Sequence, residues 1–158
     1  MLFRSGILWF GWFGFNGGSA LTIGALASTA VINTQIAASA AAITWILTEK
    51  IRDGKATTLG IASGAVAGMV AITPACGFVN PFGALIIGLL SGATSAWAVS
   101  MKYKLGYDDS LDVVGVHGVS GLLGMLAIGF LGTVTANAAG ANGFFAGGGF
   151  TLLSKQII

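Results

Sequence analysis

His117 is the only histidine in this chain, and three of the five carboxylates, Asp108, Asp109 and Asp112, precede it within ten residues. An imidazole can give or take a proton near neutral pH, and neighbouring carboxylates can shift its charge or attract a cation. Little else could do chemistry. The single cysteine, Cys76, excludes an internal disulfide and, with one histidine, supplies no metal-ligand set; it reads as a packed thiol. No nucleophile sits beside a base, so an enzyme is not expected, nor is a metal or cofactor.

The composition says what must hold these groups. Of 158 residues, 55% are hydrophobic and only 8% charged, with 26 glycines. A water-soluble domain carries about a quarter charged residues, so lipid must be the solvent for most of this chain. Glycine and alanine are small enough to let helices approach closely inside a bilayer. A net charge of +2 with no basic run excludes a nucleic-acid partner.

A bilayer core takes about 20 apolar residues per helix. Five spans fit, near residues 3–21, 26–48, 57–73, 81–101 and 109–131, and a sixth begins near Phe144. The expected fold is therefore an all-α polytopic membrane protein, with residues 1–158 forming one membrane domain. The first span is too aromatic from Trp9 to Phe15 for a plain signal peptide and reads as retained. Arg4, Lys50, Arg52, Lys55, Lys102 and Lys104 fall on one side if every span crosses once. The alternate connections carry no charge, so the charged side is expected to be cytoplasmic; only Lys155 departs from the pattern. Gly60, Gly64 and Gly68, and then Ala84, Gly88, Gly92 and Ala96, form ridges of small residues suited to helix packing. The segment 73–81, with Pro74 and Pro81, reads as an outer hairpin.

Depth separates the opening cluster. His117 lies nine residues beyond Asp108, about 13 Å along an α-helix, near the middle of a core about 30 Å thick. An imidazole there serves a substrate or proton path, or else an interhelical hydrogen bond. Asp108 and Asp109 suit the helix start as caps, and Asp112, one turn deeper, needs a backbone-amide or hydroxyl donor and could shape the inner mouth. Phe15 and Ser19, four residues apart, share one face near the outer end. A ring face beside a hydroxyl can hold a cation, although an interfacial aromatic belt explains the same residues.

The strings Leu8-Trp9-Phe10-Gly11-Trp12-Phe13-Gly14-Phe15-Asn16-Gly17-Gly18-Ser19 and Gly106-Tyr107-Asp108-Asp109-Ser110-Leu111-Asp112-Val113-Val114-Gly115-Val116-His117-Gly118 closely resemble the ammonium transporter (Amt/Mep/Rh) family. Residues 71–75 and the pair Asn33-Thr34 are similar to it as well. The resemblance covers the chain in order and implies helices 6 to 10 and the start of helix 11 of an eleven-helix fold. It implies that Phe15 is the inner gate phenylalanine, Ser19 the serine of an outer ammonium-recruitment site, and His117 the second of two pore histidines. Trp12 and Val113 would line the pore, and Asp109 and Asp112 would be the acidic positions at the helix start. It further implies ammonium or ammonia as substrate, a homotrimer with one pore per subunit, a plasma (inner) membrane location, and contact with cytoplasmic nitrogen-signalling proteins near residues 50–55 and 102–104.

The family's first histidine, outer gate phenylalanine, recruitment tryptophan and fifth-helix aspartate have no counterparts here, and Gly17 stands where alanine is common. The chain therefore reads as the C-terminal half of a transporter. The rival reading is a non-transporting ammonium sensor or membrane assembly partner.

Overall fold

Small residues decide how this chain packs. The computed structural model describes residues 2–158. It is helical, and no strand occurs among the described residues. The order is α1 (Leu2–Gly18), α2 (Ala25–Asp53), α3 (Thr58–Ile72), α4 (Pro81–Leu105), a π-helical segment (Val113–Gly118) running directly into α5 (Val119–Leu131), a 3-10 turn (Phe144–Ala146) and α6 (Thr151–Ile157).

The long α2 lies at the centre because its middle is built of alanine. Ala37, Ala38, Ala40, Ala41 and Ala42 are all buried. The glycines of α3 and α4 press onto this stretch. A Cβ at Gly64 would stand 2.6 Å from Trp45 Cβ, at Gly68 2.7 Å from Ala41 Cβ, at Gly88 2.7 Å from Ala37 Cα, and at Gly92 2.8 Å from Ala41 Cα. The two ridges seen in the sequence thus clamp one helix between them. α1 covers α2 and α3, while α5 leans on α3, α4 and α6. At Gly124 a Cβ would run into the backbone of Ala71, so α5 also meets α3 without an intervening side chain.

Polar groups fix the ends. Thr57 caps α3, its hydroxyl accepting from the Gly60 amide at 2.9 Å. The Glu49 carboxylate in turn accepts from the Thr57 amide at 2.9 Å and from Trp45 Nε1 at 3.2 Å. Asn80 caps α4 by accepting from the Gly83 amide at 2.8 Å, and Pro81 takes the first helical position, where no N–H is needed. The turn at 73–80 is held from beneath by Asn33, fully buried, whose Nδ2 donates to the carbonyls of Cys76 (2.8 Å) and Val79 (2.9 Å). Gly54 and Gly106 close α2 and α4 in the left-handed conformation.

Among the described residues three stretches are long and apolar enough to cross a membrane: α2, α4 and Val113–Leu131. At 17 and 15 residues, α1 and α3 are shorter than the spans expected from the sequence. Two other expectations shift. The fifth span starts at Val113 rather than 109, because residues 108–112 form a turn. The sixth is not continuous from Phe144: a 3-10 turn and glycines at 147–149, two of them at positive φ, intervene before Thr151.

Candidate functional site

His117 belongs to the π-helical segment, and the chemistry of the preceding turn explains why such a segment forms. A π-helix leaves extra backbone amides at its start and is uncommon except where something stabilises it. Here the Asp109 carboxylate accepts from the amides of Val114 (3.0 Å) and Gly115 (3.2 Å). Burial pushes the Asp109 carboxyl up, but the amides of Val114, Gly115 and Val113 and the charge of Lys102 outweigh it and hold the group below its ordinary value. Asp109 thus occupies two of the amides at the start of the π turn. Asp108 instead accepts from the Ser110 hydroxyl at 2.7 Å.

Asp112 is partnered differently from the expectation. Its carboxylate meets neither amide nor hydroxyl but the Lys102 ammonium, which reaches across from α4 and also donates to the Asp109 carbonyl at 3.0 Å. Asp112 itself sits at φ 56°, a left-handed conformation that costs a non-glycine residue energy. Depth counted from Asp108 at α-helical rise therefore overstates how far the helix has run: the helix begins only at Val113, five residues later.

The π segment buries Gly115 and Val116 and leaves His117 and Gly118 exposed. His117 opens on a groove of about 340 Å³ shared with Ser5, Leu8, Ser63, Val66 and Asp112. Leu8 also lines a second, almost wholly apolar groove of about 440 Å³ with Ile7, Gly11, Trp12 and Phe15. A third hollow, about 190 Å³, contains Ser19, Asn16, Thr73 and Phe78. Ser5, Leu8, Trp12, Phe15 and Ser19 follow each other by three or four residues, one stripe of α1 and the turn after it. That stripe, about 21 Å long at 1.5 Å per residue, borders all three hollows.

The side chains on the stripe are fixed in place. Trp12 Nε1 donates to Thr73 Oγ1 at 2.7 Å, and its ring meets Phe15 edge-on at 5.9 Å between centroids. Phe15 is 61% exposed. The Ser19 hydroxyl donates to the Phe15 carbonyl at 2.7 Å, which leaves its oxygen free to accept. Asn16, buried behind the stripe, donates to Thr34 Oγ1 at 2.8 Å and ties α1 to α2.

The structure thus brings His117 and Asp112 into one groove, Trp12 and Phe15 into the next, and Ser19 into the third. Asp109 turns away into the backbone, and Val113, 51% exposed, lines none of the three. Sequence reasoning missed Leu8, Ser63, Val66 and Lys102 as neighbours of the site. For Leu8 the signal was present in the 5-8-12-15-19 spacing. Among the described residues no three of His, Cys, Asp or Glu lie close enough to hold a metal ion. What the arrangement offers is a row of mostly apolar hollows with one imidazole, a few hydroxyls and an edge-to-face pair of aromatic rings.

A family model described as "Ammonium Transporter Family" matches residues 5–158. The chain is 53% identical, over its whole length, to an ammonium transporter of Mycobacterium tuberculosis, of which it covers 34%. It is also 53% identical to one of Bacillus subtilis, with 96% of this chain and 38% of that protein aligned. The chain spans about a third of the length of the curated relatives it matches. Among solved structures, Candida albicans Mep2 superposes with a TM-score of 0.92 at 34% identity, covering 99% of this chain and 35% of that one. A protein titled "Sensor Amt Protein" follows with a TM-score of 0.81 at 27% identity, covering 97% and 38%.

Proposed function

Because the chain belongs to the ammonium transporter family, we propose that it supplies one wall of a path along which ammonium or ammonia crosses a membrane. The observation that carries this reading is the run of three hollows along one stripe of α1, with His117, the only histidine, opening on the innermost. In this reading Ser19 takes part in recruiting ammonium at the outer face, where a hydroxyl lone pair and the adjacent rings favour a cation. Phe15 narrows the passage behind it and Trp12 lines it. The apolar groove between them disfavours charge, so ammonium gives its proton to water at the outer face and ammonia passes. His117 then meets the neutral molecule inside, where an uncharged imidazole can both donate and accept a hydrogen bond. Val113, Asp109 and Asp112 form the inner end.

The five helical spans and α6 would correspond to helices 6 to 10 and early helix 11 of the family fold, as one membrane domain of a larger transporter. Its charged loops would face the cytoplasm in a plasma membrane, where residues 50–55 and 102–104 would meet nitrogen-signalling proteins. The assembled transporter would be a homotrimer. Transport is preferred to sensing because the identity to curated transporters, 53%, far exceeds the 27% to the sensor protein.

The test grafts this chain in place of the matching segment of the Bacillus subtilis relative and follows methylammonium uptake. The graft is expected to support uptake, and His117→Ala within it to lower uptake by about tenfold or more, equivalent to about 1.4 kcal/mol or more in the barrier. Uptake that stays normal and selective in His117→Ala overturns the assignment.

A further inference from the structure

One face of α4 engages the His117-bearing helix at every turn. Ser91, Ser95, Val99 and Lys102 are spaced four, four and three apart, which places them in one row. Ser91, Ser95 and Ser120 are fully buried. Ser91 Oγ lies 2.9 Å from the Ala67 carbonyl and 3.0 Å from Ser120 Oγ, and Ser95 Oγ lies 2.7 Å from Ser120 Oγ. Three hydroxyl hydrogens serve three links and the carbonyl can only accept. Ser91 donates, sharing its hydrogen between the Ala67 carbonyl and Ser120 Oγ, and the Ser95–Ser120 link can run either way.

One turn further along, Val99 touches the backbone of Gly115, where a Cβ would stand 2.7 Å from Val99 Cγ2 and 2.9 Å from Val99 N. At the end of the row Lys102 binds the Asp112 carboxylate and the Asp109 carbonyl. Its side chain is 13% exposed, so this pair is more enclosed than the Arg52–Asp53 pair, whose arginine is 25% and aspartate 45% exposed.

The row therefore grips the π segment and α5 along α4, and its Lys102 end holds Asp112, which also lines the His117 groove. The hydroxyl chain fixes one end and Lys102 the other. Between them Gly115 permits a contact that no other residue type would. A one-residue slip would turn the helix by roughly 100°, carrying His117 off the groove.

We propose that Lys102 is a positioning residue for His117: by tying the left-handed turn at Asp112 to α4, it sets the rotation at which the π segment presents the imidazole to the groove. This rests on the reading that His117 faces the transported species.

Because the chain has a single histidine, the imidazole nitrogen resonances in a solid-state NMR spectrum of the chain in lipid bilayers belong to His117 alone. Lys102→Met is expected to shift or split them, Lys102→Arg to restore the wild-type spectrum, and Lys104→Met, one turn edge away and outside the pair, to leave it unchanged. If Lys102→Met does not fold, Asp112→Gly removes the carboxylate while relieving the left-handed strain, and is expected to disturb the same resonances. In the Bacillus subtilis graft, Lys102→Met is expected to lower the maximal methylammonium uptake by about tenfold, as misplacement by about 1 Å can, with KM little changed. Lys102→Arg is expected to recover it.

Resonances that stay at wild-type positions in Lys102→Met, or in Asp112→Gly, overturn the proposal. So does a disturbed spectrum with undiminished uptake. An unsubstituted graft that carries no methylammonium speaks against the transport reading instead, and the spectra of the chain alone still decide whether Lys102 sets the imidazole.

Discussion

Replacing Gly68 with alanine puts one methyl group where α3 meets α2. The new Cβ would lie 2.7 Å from Ala41 Cβ and 2.9 Å from the carbonyl carbon of Ala37, and closer still to the Ala37 oxygen. Comfortable carbon–carbon contact needs about 3.5–4.0 Å, so the helices must part by roughly 0.8 Å or more. Two of those three atoms belong to the backbone, and no rotamer change relieves them. Overpacking of this kind costs about 1–3 kcal/mol. Alanine returns up to about 1 kcal/mol in helix propensity, leaving a net loss of about 0–2 kcal/mol when that gain is complete.

Gly14→Ala in α1 is the control, because a Cβ there meets nothing within 4 Å. It receives only the propensity gain. The two variants should therefore differ by about 1–3 kcal/mol, or roughly 2–12 °C in melting temperature at about 2–4 °C per kcal/mol for a chain of this size. Thermal unfolding of both in one detergent, followed by circular dichroism, measures the difference. If Gly68→Ala melts at or above Gly14→Ala, α2 and α3 are not packed backbone to backbone and the account of the core fails.

Asn33→Ala should cost about 2–4 kcal/mol, since it strips two buried carbonyls, those of Cys76 and Val79, of their donor and leaves a small cavity; the same melting assay checks it. Asp109 is held below its ordinary value of 3.8 in the folded chain, so its contribution to stability is complete above that value and is lost as pH falls through the lower folded one. Asp109→Asn should flatten this acid limb in a pH series of melting temperatures, and an unchanged limb would show that the carboxylate does not cap the π turn.

The ridges Gly60-Gly64-Gly68 and Ala84-Gly88-Gly92-Ala96 were legible in the sequence because small residues at every fourth position mark one helix face whatever the fold. The helix start at Pro81 likewise follows from local chemistry. The π segment was not legible. It depends on Asp109 reaching back to two amides and on Gly115 meeting Val99, and neither depends on local periodicity. For the same reason the partner of Asp112 was misjudged: Lys102 is ten residues away and faces it only because the chain reverses at Gly106. Of the candidate site, the types of residue and their order along α1 could be read directly. That Leu8 joins the groove of His117 to that of Phe15 required α1, α3 and the π segment to be placed around one groove.

The contact of Gly64, Gly68, Gly88 and Gly92 with one stretch of α2 also bears on motion. Helices that touch through their backbones cannot slide without riding up over carbonyl groups, so α2, α3 and α4 shift as one body. Gly124 against Ala71 and Gly115 against Val99 tie α5 and the π segment to the same body, so a change in the width of the hollows falls to α1, whose Gly11 and Gly14 meet no neighbouring backbone. Ser5, Leu8, Trp12, Phe15 and Ser19 ride on α1 while His117 stays with the core, and a displacement of a few tenths of an ångström between the two would widen or narrow the hollows while the core keeps its shape.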